Sequence, residues 1–306
     1  MRILITDDVH PILIDGFRSR NYIVDFEPNI SLNEVLERVS NYQGLVINSK
    51  IIVDKNLIQK ASKLRCVARL GSGKEILDLA ELNVRNIKVI TTPEANCNAV
   101  AEQALGMLLS LVRHIPRADQ EVKQLLWKRE ENRGSEISNL CFGVIGFGHT
   151  GTRFCELLSG FGARVLVYDK YKNIDTKISR LEAVRNIEEL YDCDVISLHV
   201  SLLAENRHLI DQAFIQNMKR PFYLINTSRG LVVDTYALVD GLQSGKIKGA
   251  CLDVFENEKP PSFNAEETLL YHKLYEFPNT ILSPHIAGWT HESKLQIAQS
   301  ILNQWP

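Results

Sequence analysis

The sequence predicts an α/β protein built from two doubly wound parallel sheets. Two observations carry that prediction. Short apolar runs rich in Val, Ile and Leu alternate with helical patterns along the chain, the rhythm of parallel strands joined by crossover helices. At mid-chain, Leu140-Cys141-Phe142-Gly143-Val144-Ile145 leads straight into Gly146-Phe147-Gly148-His149-Thr150-Gly151, and Asp169 closes the next apolar run eighteen residues beyond Gly151. Strand, glycine turn, helix, strand and acid at that spacing describe a dinucleotide-binding unit of the Rossmann type.

Taken in order, the first part reads as a strand over 3–6, a helix over 13–20, a strand over 23–26, a helix over 32–39 and a strand over 44–48. A helix over 55–61 and strands over 64–69 and 88–91 complete a small α/β domain. Asn98 is placed to cap the next helix. On that helix Val100, Ala101, Ala104, Leu105, Leu108, Leu109 and Val112 recur at helical spacing, so a broad face is buried. Pro116 interrupts the pattern, and the charged stretch from Lys123 to Arg133 reads as either a solvated face or an oligomer arm. Beyond Asp169, buried strands are expected over 194–199, 222–226, 249–254 and 280–283, and a last helix from about Glu292 returns to the first domain. Ligands of a doubly wound sheet bind at the carboxyl ends of its strands, so the polar residues after these runs are the candidates for function.

The glycine turn has a physical reason at each position. Gly146 permits the tight turn, Gly148 lets backbone approach a pyrophosphate, and Gly151 lets the following helix pack on the sheet. The helix opening at His149 and Thr150 offers unpaired N–H groups to an anion. Asp169 accepts hydrogen bonds from both ribose hydroxyls and repels a 2′-phosphate, which favours NAD over NADP; Lys170 and Lys172 soften that preference. His199 stands near an adenosine ribose or pyrophosphate, or serves structure alone.

At 306 residues the chain accommodates two domains, and 45% hydrophobic with 24% charged residues is ordinary for a soluble protein. A net charge of −2 gives no footprint for nucleic acid. The longest apolar stretch, near 104–112, falls far short of the ~20 residues of a membrane span, and the N-terminus lacks the pattern of a signal peptide. The six cysteines form no C-x-x-C pair and read as reduced, buried thiols of a cytoplasmic protein; no metal site is expected.

Three polar residues carry the chemistry: Arg229 in Asn226-Thr227-Ser228-Arg229-Gly230, Glu258 in Asp253-Val254-Phe255-Glu256-Asn257-Glu258, and His285 in Ser283-Pro284-His285-Ile286-Ala287-Gly288. With the glycine turn, with Val100-Ala101-Glu102, and with Gly245-Lys246-Ile247-Lys248-Gly249-Ala250 before Leu252-Asp253-Val254, these motifs resemble the D-isomer-specific 2-hydroxyacid dehydrogenases over nearly the whole chain. The resemblance implies a flavodoxin-like substrate domain, 1–98 with 286–306, interrupted by an NAD-binding Rossmann domain, 99–285, with a dimerisation arm at about 116–139. It implies NAD as cofactor, held by the glycine turn with Asp169, His199, Thr227 and Asp253. Asp253 is the position that bonds the nicotinamide amide, or else a strand-end cap. Chemically, an imidazole suits the hydroxyl proton, a carboxylate beside it orients the ring, and a guanidinium fork clamps the substrate carboxylate. Counting from Asp253 favours Glu258 over Glu256 as the partner of His285.

The stretch from Arg113 to Ile137, with Trp127-Lys128-Arg129, is most similar to the 3-phosphoglycerate subgroup. The likeness implies a homodimer in which Arg129 reaches a substrate phosphate from the neighbouring subunit. Arg69, Lys50 and the backbone at Ser72 and Gly73 are the further substrate-binding candidates. Two departures stand out: Ile47-Asn48-Ser49-Lys50 where the subgroup carries an arginine, and Lys74-Glu75-Ile76 after Gly73. A serine-binding regulatory domain is not expected within this length. The alternatives are a glyoxylate or hydroxypyruvate reductase and an NAD(H)-sensing, corepressor-like interaction protein.

Overall fold

All twelve strands of the computed structural model, which describes residues 1–175 and 177–306, pair in parallel and fall into two sheets. Each sheet belongs to its own unit: Met1–Cys97 with Trp289–Pro306, and Asn98–Gly288.

The first unit holds β1 (Arg2–Ile5), β2 (Ile23–Phe26), β3 (Gly44–Ile47), β4 (Cys66–Arg69) and β5 (Lys88–Ile90) in the order β2-β1-β3-β4-β5, the flavodoxin-like order. Period-2 alternation sorts β1 between two apolar layers. Leu4 joins Val35, Tyr42 and Leu57 on one face, while Ile3 and Ile5 join Phe17 and Ile301 on the other. The helix His291–Gln304 completes the second layer, and Trp305 just beyond it meets Phe17 edge-on with centroids 4.7 Å apart. The terminal segment therefore packs with the N-terminal strands.

The second unit holds β6 (Cys141–Ile145), β7 (Arg164–Tyr168), β8 (Leu181–Ala183), β9 (Val195–Leu198), β10 (Phe222–Asn226), β11 (Ile247–Leu252) and β12 (Thr280–Leu282). Their order is β12-β11-β10-β9-β6-β7-β8. The chain runs outward from β6 to β8 and then crosses back to β9, so the carboxyl ends of β6 and β9 flank the point where strand order reverses, the place where such sheets bind ligands.

Several local expectations need correction. The helix Cys97–Val112 starts before Asn98, so Asn98 lies in its first turn and is not its cap; its side chain donates to Glu102 at 2.7 Å and accepts from Arg153 at 2.7 Å. Pro116 begins the helix Ile115–Lys123 instead of breaking one, because proline needs no N–H partner in a first turn. That helix buries none of its residues. The helices Leu79–Val84 and Ala265–Glu276 and the short β8 are elements that periodicity did not reveal. Asp78 caps the first of these through the Glu81 amide, and Asn264 with Glu267 forms a capping box on the second.

Candidate functional site

The carboxyl end of the seven-stranded sheet gathers most of the candidates. Out of β6, Gly146 takes φ +98°, and a Cβ there would lie 2.4 Å from the His199 carbonyl oxygen. A Cβ on Gly151 would lie 2.0 Å from the Gly146 carbonyl oxygen. Only glycine lets turn, helix and β9 approach this closely. Around Gly148, by contrast, a Cβ would meet nothing within 4 Å. No side chain caps the helix His149–Gly160, so its first amides, from His149 to Gly151, remain available to an anion.

Asp169 ties this turn to the end of β7. Its Oδ2 accepts from the Phe147 N–H at 2.7 Å, and its Oδ1 accepts from Tyr171 and Lys172 at 2.9 Å each. The two neighbouring lysines are engaged: Lys172 donates to the Phe147 carbonyl at 2.9 Å and Lys170 pairs with Glu205 at 3.1 Å.

Two buried polar atoms at the next strand ends have no partner among the described residues, Nδ1 of His199 after β9 and Oγ1 of Thr227 after β10. The other ring nitrogen of His199 meets the Ser197 hydroxyl at 2.8 Å, and burial pushes its pKa down to about 3, so the imidazole is neutral. Open space at Gly148, an uncapped helix start and two orphaned polar atoms at the carboxyl ends of neighbouring strands suit a dinucleotide.

His285 and Glu258 meet at 2.8 Å through Nδ1 and Oε2, both side chains partly open to solvent. Partial burial pushes the Glu258 carboxyl up, but the hydrogen bond and charge of His285, the Phe255 N–H and the charge of Arg229 outweigh it. The net position lies below the ordinary 4.5. Arg229 comes close because Gly230 has no side chain: a Cβ there would fall 1.9 Å from the Phe255 carbonyl oxygen. The guanidinium also donates to the Ser228 carbonyl at 2.7 Å. Glu256, the rival carboxylate, is used elsewhere, accepting from the Thr235 amide and hydroxyl at 2.8 Å and meeting His208 at 2.8 Å.

His285 takes φ +56°. A buried carboxylate holds it in that left-handed turn. Asp253, fully buried after β11, accepts from the Ser283 hydroxyl at 2.5 Å and from the Ile286 and Ala287 amides at 2.9 and 2.8 Å. Its own carbonyl accepts from the His285 amide at 2.7 Å. Both carboxylate oxygens of Asp253 are thus turned towards the histidine loop. Ser283 is the residue that sequence reasoning missed; its place two residues before the histidine was the available signal.

Four further candidates lie in the first unit: Arg69 ends β4, and Ser72 is exposed and Gly73 buried in the turn that follows. Lys50, also there, directs its ammonium to the Pro28 carbonyl at 2.5 Å. Arg129 is exposed in the second unit, on the segment after the helix Ile115–Lys123. Among the described residues, no group of His, Cys, Asp and Glu is arranged for a metal ion, and no helix is long and apolar enough to cross a membrane.

Comparison with known proteins agrees with this geometry. A family model described as "D-isomer specific 2-hydroxyacid dehydrogenase, NAD binding domain" matches residues 105–287. The chain is 31% identical over 304 residues to a D-3-phosphoglycerate dehydrogenase of Synechocystis, covering 99% of this chain and 53% of that protein. It is 34% identical over 276 residues to a glyoxylate reductase of Thermofilum pendens, covering 88% and 79% respectively. The crystal structure of a D-lactate dehydrogenase from Aquifex aeolicus, complexed with NAD and lactic acid, superposes with TM-score 0.88 at 28% identity over 99% of this chain and 93% of that one. The chain spans about half the length of several phosphoglycerate dehydrogenases that it matches.

Proposed function

The chain belongs to the D-isomer-specific 2-hydroxyacid dehydrogenase family, and from that premise we propose that it oxidises a D-2-hydroxy acid with NAD, 3-phospho-D-glycerate being the favoured substrate. The observation that carries this reading is the 2.8 Å pair of His285 and Glu258, with Arg229 close enough to act on the same carboxylate. Glu258 occupies Nδ1, which leaves Nε2 to take the hydroxyl proton of the substrate. Its negative charge steadies the imidazolium so formed. Arg229 offers a planar fork to the substrate carboxylate and draws electron density from the C2 oxygen. Asp253 keeps the histidine turn in register. The chemistry supplied by NAD would be that of a hydride acceptor for C2. The turn from Gly146 to Gly151 with His149 and Thr150, together with Asp169, His199, Thr227 and Asp253, would hold that cofactor. With Lys170 and Lys172 engaged by Glu205 and Phe147, little remains near Asp169 to welcome a 2′-phosphate.

Lys50, Arg69, Ser72 and Gly73 are assigned to the substrate and Arg129 to the phosphate of a substrate held by the neighbouring subunit; the product would be 3-phosphohydroxypyruvate, a precursor for serine biosynthesis. The exposed Leu125 and Trp127, 92% and 76% accessible, make the segment around 116–139 the natural contact of a homodimer. A second reading, a glyoxylate or hydroxypyruvate reductase, is favoured by Lys50, which turns to its own chain and is no substitute for an arginine fork.

The test is NADH absorbance over 3-phosphoglycerate, D-glycerate, D-lactate, hydroxypyruvate and glyoxylate. Preference for the phosphorylated acid, lost in Arg129→Ala or Arg69→Ala, supports the first reading. Equal turnover of glycerate and its phosphate defeats it in favour of the reductase. Tight NADH binding without turnover of any acid would point instead to a sensor.

A further inference from the structure

The amino end of the same sheet carries a second chemical feature. Cys141 opens β6, Cys193 precedes β9, and the pairing of these strands brings residues 52 apart in sequence to an Sγ–Sγ distance of 3.8 Å. Cys193 is fully buried, whereas Cys141 is partly accessible and lines a pocket of about 430 Å³ with Arg164, Leu166, Glu189, Asp192 and Arg220. No other cysteine pair in the described residues approaches this closely, and the remaining thiols are Cys66, Cys97, Cys155 and Cys251.

We propose that Cys141 and Cys193 form a redox-active dithiol, with Cys141 as the thiol that reacts with a hydroperoxide entering the pocket and Cys193 as the thiol that resolves it. Division of labour follows from access, since only Cys141 can meet a reagent. Electrostatics point the same way. Contact with Cys193 is the main influence lowering the Cys141 thiol to about 7, and the charges of Arg164 and Arg220 add to it against burial and Asp194. Contact with Cys141 and burial hold Cys193 well above its ordinary range, so it remains a protonated thiol until attacked.

The chemistry balances. The Cys141 thiolate attacks one peroxide oxygen; an S–O bond forms, the O–O bond breaks, and the departing oxygen takes a proton to leave as water or an alcohol. Cys193 then attacks Sγ of Cys141, giving up its proton; an S–S bond forms, the S–O bond breaks, and water leaves. Two electrons pass from the thiols to the peroxide. The resulting disulfide would staple the two strands that flank the switch point, at the end opposite the glycine turn. An added dithiol reverses the change.

The full chain, treated with hydrogen peroxide, quenched and alkylated, is the sample for peptide mass spectrometry. A peptide pair linked through Cys141 and Cys193, two hydrogens lighter than the free thiols and abolished by dithiothreitol, is the expected product. Cys193→Ser should stop at a sulfenic acid on Cys141 that dimedone traps, and the rate in the native chain should rise with pH as the Cys141 thiol ionises. Cys141→Ser, remote from the candidate catalytic groups, should keep its turnover within about twofold of the native chain and form no link. Oxidation of Cys141 to a sulfinic acid with Cys193 still a free thiol would overturn the pairing. Equal labelling of Cys97, or no reaction at Cys141 at all, would overturn the assignment of Cys141 as the reactive thiol.

Discussion

At its carboxyl end the seven-stranded sheet gathers a glycine turn, an arginine turn and a histidine loop; at its amino end it gathers two cysteines and two arginines. Groups at the first end sit in short motifs, each with its own glycine or capping acid, and each motif announces its role in one dimension. At the second end, Cys141, Arg164, Cys193 and Arg220 come from four separate stretches, and none has a motif around it. Both ends depend on the same strand order. The difference teaches that a site is legible when its backbone geometry demands unusual residues, and silent when ordinary residues become neighbours only through pairing.

Breaking the carboxyl end should have the larger consequences. His285→Ala removes the proton carrier, and kcat should fall by about 10²- to 10⁴-fold. NADH affinity, followed by fluorescence, should stay within about threefold, because the glycine turn is untouched. Weak NADH binding with preserved turnover would refute the role given to the imidazole.

A pair of glycine substitutions separates closeness within the fold from closeness to the cofactor. Gly151→Ala drives a Cβ to 2.0 Å from the Gly146 carbonyl oxygen. Strain of about 1–3 kcal/mol should lower the melting temperature and weaken NADH by about 10- to 100-fold. Gly148→Ala enters open space and should leave the melting temperature alone while still weakening NADH. Unchanged NADH affinity in both variants would remove the turn from the cofactor site.

The smallest effect concerns Glu258. Its folded carboxyl lies below 4.5, so the stability it contributes is full above the unfolded value and is lost as pH falls through the lower folded one. The melting temperature of the native chain should therefore exceed that of Glu258→Gln at neutral pH, and the gap should close in acid. A gap that persists unchanged far below pH 4.5 would mean that the carboxylate acts through packing and not through its charge.

Much of the fold was readable because its rules are local. Alternating apolar runs, a glycine turn and an acid at the right spacing require no knowledge of distant residues, and they foretell two parallel sheets and a dinucleotide turn. Boundaries were less readable. The helix Ile115–Lys123 is short and buries nothing, and β8 spans three residues at a sheet edge. Asn98 had the side chain of a cap, but its preceding residue was already helical. Counting from Asp253 favoured Glu258 over Glu256, and the folded loop sends Glu256 to Thr235 and His208 and Glu258 to His285.

Residue order was thus sufficient for the architecture, because turns, caps and strand patterns are short-range demands on the backbone. Folding alone decided that Asp253 latches the histidine turn and that two cysteines 52 residues apart lie in contact. Those are outcomes of strand order and register, which bring into contact residues whose separation in the chain carries no signal.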